Sequence, residues 1–512
     1  MEVEKEIIEL PDPDEINDIE TMRVLVKHLI AAVQSQQSTI EQLRNSIEKK
    51  DAEIAELKRM LFGKKSERMT GVDEEIKKRR KKNAGARKKD KKKSRNRRRR
   101  NREAKKELPT EEVVHEVAEE DCVCPHCGGT RFSDLGEGEV SYEYEYIPAR
   151  IVRFKHIRKN KACACGQYIV TAPPPERVSD GVQYGPGFHA HVAVSKCSDS
   201  IPLYRQAKQF NREGVPVCRS TLCDLFHRSA ELLSPLHKRI MELISKSPYV
   251  NADETPVPVQ DNEKTRRAYM WDFIAGNMVG YMYSPSRSGE TPVNVLGQSK
   301  GFLQVDAYSG YNQVTRPESR TRVGCIAHVR RYFWKAKETE PENAQYVLDR
   351  ILELYEVEYQ AADEGILGTD RHLALRNAVS GLVMKELKQW LDEQEPVHPP
   401  KSPLGQAITY IRKNWESLNQ FLKDPKLSLD NNISERHLRL IALGRKNFLF
   451  VGHDEAGENL AVLQTLVSTC ELNGVNPQAY LTDVLIRTQT HPASRIDDLL
   501  PQNWSPPDDA PD

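Results

Sequence analysis

Between Tyr249 and Asp306 the residue pattern leaves few folds open. Tyr249-Val-Asn-Ala-Asp253 alternates toward an acidic end, which predicts a strand. Ala268–Ala275 and Met278–Tyr283 flank Gly276-Asn277, the mark of a tight hairpin. Glu290 to Leu296 reads as a short helix, and Gly301 to Asp306 as another buried strand that again closes on a carboxylate. A strand, a hairpin, a helix and a strand in this order belong to an α/β domain.

The same order opens a ribonuclease-H-like domain, in which the first and fourth strands lie side by side. Asp253 and Asp306 would then nearly touch, and two carboxylates so close repel unless a cation stands between them. A third acid, Glu435, follows 129 residues later in Asp430-Asn-Asn-Ile-Ser-Glu-Arg. Asn431 or Asn432 is suited to cap a helix there, with Glu435 in its first turn. Two strand-end aspartates and a helical glutamate are the parts of a two-metal site for phosphodiester chemistry, with Mg²⁺ or Mn²⁺ as the hard cation. Glu254 and Asp430 compete for the third position, although Glu254 should face away from Asp253. Glu435 could instead form only an i, i+4 pair with Arg439. Between the second and third acids, Ile408, Ile411, Trp415, Leu418 and Leu422 recur at helical spacing, so a helical insertion is expected.

The N-terminal third has a different texture. Val26, Val33, Ile40, Ile47, Ile54 and Leu61 fall seven apart, with Leu29, Gln36, Leu43, Lys50 and Leu57 between them. This a/d pattern predicts a parallel two-stranded coiled coil and hence a homodimer. From Lys77 to Lys106 there are 20 Lys or Arg against Asp90 and Glu103, a local +18 that leaves −17 elsewhere in a chain of net +1. Such a block attracts nucleic acid phosphate, and with no aromatic residue in it, base stacking is not expected there. Cys124-Pro-His-Cys127 and Cys163-Ala-Cys165 form two knuckles. Strands are expected around Tyr142–Tyr146 and Ile151–His156 between them, and the whole reads as a zinc ribbon on Cys124, Cys127, Cys163 and Cys165. Leu203 to Phe210, a turn at Arg212–Val217 and a helix capped by Ser220 give a helix-turn-helix outline. Cys325-x2-His328 reads as a buried thiol and a packed imidazole more than half of a metal site.

No run of eighteen apolar residues exists, and the polar N-terminus is unlike a secretory signal, so a cytoplasmic protein is expected. The expected multidomain α+β organisation is an acidic tail (1–21), a coiled coil (22–66), a basic linker (67–112) and a zinc ribbon (113–172). A helix-turn-helix-like segment (173–248) and the first part of the α/β domain (249–337) follow. A helical insertion (338–428), a catalytic helix with C-terminal helices (429–490) and a disordered tail (491–512) complete it.

Several stretches carry a resemblance. They are Leu61-Phe-Gly-Lys-Lys-Ser-Glu-Arg, Asp253-Glu-Thr-Pro-Val, Asp306-Ala-Tyr-Ser-Gly-Tyr-Asn and Gly324-Cys-Ile-Ala-His-Val-Arg-Arg-Tyr-Phe. To these are added Asp430-Asn-Asn-Ile-Ser-Glu-Arg-His-Leu-Arg-Leu-Ile-Ala-Leu-Gly-Arg-Lys-Asn-Phe-Leu-Phe-Val-Gly and Asn473-Gly-Val-Asn-Pro-Gln-Ala-Tyr-Leu. Together they resemble the transposases of insertion-sequence family sixty-six, the TnpC type, in order over about residues 20–490. The resemblance implies a DDE transposase with Asp253, Asp306 and Glu435 as its acidic triad, a zinc module and DNA-binding N-terminal parts. Accessory proteins of the same element become plausible partners. Arg436, Arg439, Arg445 and Lys446 beside Glu435, with Arg330 and Arg331, are expected to hold DNA phosphates. The sequence departs from the family at the C-x-C spacing of Cys163 and Cys165, at Leu440 where proline is usual, and in the length of its basic run.

Overall fold

A computed structural model describes residues 19–62, 75–76, 151–162, 169–178, 183–262 and 264–506. They divide between two compact units: one holds 19–62, 173–212 and 216–506, the other the remaining described residues up to 172 together with 213–215.

Helix α1, Ile19–Phe62, runs unbroken for 44 residues. Val26, Val33, Ile40 and Ile47 of its heptad seam, with Leu29 and Leu43, are each about half exposed in the single chain. The basic run, Tyr142–Tyr146 and all four expected zinc cysteines lie outside the described residues. The strand expected at Ile151–His156 is corrected: those residues take no regular structure, and Phe154 and Ile157 are exposed. The nearby hairpin is instead β1 (Asn160–Ala162) against β2 (Ile169–Thr171), which brackets Cys163 and Cys165 in sequence.

The core of the first unit is a five-stranded sheet in the order β5-β4-β3-β6-β7. Its strands are β3 (Tyr249–Asp261), β4 (Lys264–Ala275), β5 (Met278–Ser284), β6 (Gly301–Gln304) and β7 (Arg320–Val323). β3, β4 and β5 are antiparallel, whereas β6 pairs parallel with β3 and β7 parallel with β6. The adjacency of the first and fourth strands is thus present, with Tyr249 opposite Phe302 and Asn251 opposite Gln304. Gly301 starts β6 at φ +121°, where a Cβ would fall 2.2 Å from the Pro248 carbonyl oxygen, so only glycine lets the two strands meet there.

β3 runs eight residues beyond Asp253 despite Pro256 and Pro258. The carbonyl of Pro258 and the N–H of Gln260 bond to Val451 on the edge away from β4. By the two-residue alternation of a strand, both proline nitrogens face that edge, where no ladder with β6 needs them. β6 ends at Gln304 while β3 continues, so the sheet opens past the last β3–β6 pair, Asn251 with Gln304.

Helices close both faces. α2 (Pro186–Cys197), α3 (Leu203–Arg212) and α4 (Arg219–Lys246) precede the sheet. The helix–turn–helix outline is present, with Cys218 rather than Ser220 preceding the second helix. α5 (Glu290–Leu296) lies where the sequence places it. After β7 come α6 (Ile326–Ala336), α7 (Pro341–Glu364), α8 (Asp370–Leu375), α9 (Gly381–Gln394), α10 (Pro403–Lys413) and α11 (Trp415–Leu418). α12 (Asn432–Phe448), α13 (Asp454–Leu472) and α14 (Pro477–Arg487) complete the described helices.

α13 covers the edge strand β5. The Thr465 and Thr469 hydroxyls accept the N–H groups of Tyr281 and Val279 at 2.8 and 3.2 Å, so the edge exposes no donor there. The expectation of a disordered tail from Pro492 is corrected up to residue 506. Leu499 and Leu500 are buried, Arg239 grips Asp497 through two hydrogen bonds at 2.6 and 2.8 Å, and Trp504 Nε1 donates to Asp483.

Candidate active site

The opening past the last β3–β6 pair holds the two predicted aspartates. Asp253 lies two residues past the last β3–β6 pair, and Asp306 lies at the matching distance past β6. The start of α12 is bound directly to β3: Asn251 Nδ2 donates to Asn431 Oδ1 at 2.9 Å, and Asn431 Nδ2 to the Ala252 carbonyl at 2.8 Å. The Asn431 N–H reaches Cys325 Sγ at 3.2 Å, which ties in the start of α6. Asn431 is 1% exposed, so these bonds are shielded from water. They bring the first turn of α12, with Glu435, over Asp253.

The electrostatics reflect this gathering. Burial pushes the Asp253 carboxyl up to about 8, and the charges of Glu254, Asp306 and Glu435 push the same way. Only the Glu254 N–H, at 2.8 Å from Asp253 Oδ1, opposes them. Asp306 Oδ1 accepts the Tyr308 N–H at 2.8 Å. Glu435 Oε1 accepts from Arg331 Nη2 at 3.1 Å, so its ion pair runs to α6 and not to Arg439. Among the described residues, no three His, Cys, Asp or Glu side chains stand close enough to hold a metal as placed.

Both rival acids are engaged elsewhere. The Glu254 side chain is 1% exposed, bonded by Arg287 and, at 2.8 Å, by the Tyr311 hydroxyl. Arg287 also lies 4.0 Å from the centre of the Tyr308 ring. Asp430, one residue before the N-cap of α12, takes the Asn432 N–H at 3.1 Å and the Tyr355 hydroxyl at 2.6 Å. Asn431 is the N-cap, but its side chain serves the sheet and makes no capping bond.

The expected phosphate-binding cations separate. Arg436, Arg439 and Lys446 are exposed and, at spacings of three and seven, share one face of α12. Arg445 turns inward to the Pro256 carbonyl. Arg330 is corrected as a DNA contact: it is 4% exposed, packed beside the Trp334 ring. Cys325 is buried with its thiol pushed up to about 12 by burial, in line with a packed thiol. Burial first, then the Arg331 charge, lowers the His328 pKa, and its Nδ1 has no hydrogen-bond partner.

One residue was missed in the sequence. Asp272 faces Asp253 across the β3–β4 ladder, is fully buried, and accepts the Asp253 N–H on Oδ1 at 2.9 Å. Burial first, then Asp253, raises its pKa well above the usual carboxylate range. The Ser434 hydroxyl stands near enough to lower that pKa, yet neither it nor Asp272 Oδ2 completes a hydrogen bond as placed. The sequence signal was an acid between Trp271 and Phe273 in an apolar strand.

Residues 181–459, more than half of the chain, match the Transposase IS66 family. The chain belongs to the IS66 transposase family. Residues 465–502 match the IS66 C-terminal element, which includes the ordered segment around Leu499. Residues 121–166, containing all four predicted zinc cysteines, match the zinc-finger binding domain of transposase IS66. Relatives of this IS66 chain include the uncharacterised protein y4jD of Sinorhizobium fredii, 34% identical over 78% of this chain and 81% of its own length. A second, y4hP of the same organism, is 30% identical over 76% of this chain and 74% of its own length. No described helix is long and apolar enough to cross a membrane.

Proposed function

We propose that this IS66 chain is a DDE transposase that binds insertion-sequence ends, cleaves DNA and joins the 3′-OH ends to target DNA. Its catalytic domain would be ribonuclease-H-like, with Asp253, Asp306 and Glu435 as the acidic triad. The single observation that carries this reading is geometric: Asp253 and Asp306 both follow the last β3–β6 pair by two residues, and Asn431, at the start of the helix of Glu435, is bonded to Asn251 and Ala252 of β3. Half-buried acids that raise one another's pKa suit a divalent cation. The three carboxylates would hold Mg²⁺ or Mn²⁺, two ions in all, which when bound supply charge neutralisation and activation of the attacking oxygen.

The chain's own residues do the positioning. Asn431 and Asp430 hold the helix of Glu435 against the strand of Asp253. Arg287 and Tyr311 hold the Glu254 carboxylate by hydrogen bonds. Attack by water at phosphorus breaks the bond to the 3′ oxygen and leaves a 3′-OH. Attack by that 3′-OH on target DNA gives joining, with no covalent protein intermediate. Arg436, Arg439 and Lys446 would hold phosphates along the exposed face of α12. α1 would pair with a second copy through its heptad seam. The four cysteines would hold Zn²⁺, on the strength of the family match. A bacterial cytoplasmic location, on the nucleoid when DNA is bound, follows from this role.

The test is a labelled terminal DNA with Mg²⁺. Cleavage should fall by about three orders of magnitude in Asp253→Ala with binding retained. Equal binding with cleavage by neither protein, when the element's other proteins are supplied, would make the chain a non-catalytic DNA-binding factor. For Lys446→Ala, the salt dependence of end binding should become shallower by about one counterion. An unchanged slope removes Lys446 from the interface.

A further inference from the structure

Asp272 is the least explained charged group in the molecule. It is fully buried, between Trp271 and Phe273, in a strand that an apolar residue would fill at lower cost. Among the described residues it has no ion-pair partner, and one of its oxygens is idle. Its other oxygen takes the backbone N–H of Asp253. The idle oxygen lies beside Ser434, which is also fully buried with an unused hydroxyl and directly precedes Glu435. One side chain therefore stands against the backbone of the first acid and against the helical turn of the third.

We propose that Asp272 is a positioning residue: it sets where Asp253 and Glu435 stand relative to one another, through the Asp253 amide and the Ser434 hydroxyl. This inference rests on the acidic-site reading above. Asp272 reaches no solvent, so it touches neither DNA nor an attacking water. Its effect is carried by the two residues it holds. A Ser434 hydroxyl turned toward the idle Asp272 oxygen would complete the second contact.

The full-length chain is compared as wild type, Asp272→Leu, Asp272→Asn and Ser434→Ala. Mn²⁺ binding is read by electron paramagnetic resonance without DNA, and cleavage of a terminal DNA under single turnover. Asp272→Leu should bind DNA as wild type, weaken Mn²⁺ about tenfold and slow cleavage about 10- to 100-fold. Asp272→Asn should recover to within about threefold, because its amide oxygen accepts the Asp253 N–H and its NH₂ reaches Ser434. Ser434→Ala should fall between. The backbone amide of Asp253 should lose protection from hydrogen exchange in the leucine variant and keep it in the asparagine variant. Wild-type Mn²⁺ affinity in Asp272→Leu, or an asparagine variant as impaired as the leucine one, overturns the proposal. Should Asp272→Leu fail to fold, unchanged Mn²⁺ affinity and rate in Ser434→Ala overturns it instead. Asp253→Ala with undiminished Mn²⁺ binding and cleavage defeats the acidic-site reading itself. A dead Asp253→Ala beside an unaffected Asp272→Leu defeats only the positioning role.

Discussion

Glu358 in α7 and Asp253 in β3 are both carboxylates set below the surface, and their surroundings differ in one respect. Glu358 takes Arg376 Nε and Nη2 at 2.7 Å each, with His372 Nε2 at 3.2 Å. The remaining Arg376 donors reach the carbonyls of Phe421, Asp424 and Leu427 at 2.9, 3.2 and 2.9 Å. Every guanidinium N–H is used, and the loop leading to α12 is tied to the helical insertion. The charges that act on Asp253 include Glu254, Asp306 and Glu435, all of its own sign. The fold pairs one half-buried acid completely and leaves another crowded by acids, and the proposed cation site rests on that contrast.

The largest test of that contrast removes the paired cation. Arg376→Met leaves Glu358 without its partner and frees three loop carbonyls, so the chain should lose about 3–5 kcal/mol in chemical denaturation. A loss below about 1 kcal/mol would mean the two centres are not opposites.

The second test removes the unpaired acid. Asp253 keeps its proton up to about 8 in the folded chain and to 3.8 ordinarily. Between those values the folded state binds more protons than the unfolded one, so this group's contribution to stability falls as pH rises from about 4 to about 8. In chelator, Asp253→Asn should melt above wild type at pH 8 and match it near pH 4. A variant that melts lower at pH 8 would show that the charge is compensated after all.

The smallest effect sharpens the comparison. Arg331 bonds Glu435 from a position 43% exposed, against 34% for its partner, so the pair is worth little in water. It nevertheless competes with a cation for the same carboxylate. Arg331→Ala should tighten Mn²⁺ binding by about two- to fivefold without DNA. Weaker binding would instead make Arg331 a support for the centre.

Much of the sheet was legible because strand and helix periods differ. The alternation ending at Asp253, the Gly276-Asn277 hairpin and the helix at Glu290–Leu296 could each be read from local pattern. The full length of β3 could not, since Pro256 and Pro258 argue against a strand until its free edge is known. Without that length the register stays uncounted, and Asp272 cannot be seen to face Asp253. Arg330 and Arg331 are adjacent in sequence, yet one is buried and the other meets Glu435, a difference set by which face of α6 packs inward. The tail looked disordered by composition, and it is ordered because Leu499 and Leu500 are buried and Trp504 packs edge-on against Tyr480.

By itself the amino-acid order determined the local elements and the family, because periodicity and motif spacing act over a few residues at a time. Only the tertiary structure decided which acids share a field, which are neutralised, and which cation reaches which carboxylate. Those outcomes depend on burial and on distances across 19 to 180 positions of chain, as in the Asp253–Asp272 and Asn251–Asn431 bonds. Coulomb and desolvation energies depend on separation in space and on exclusion of water, and neither is encoded at any single position.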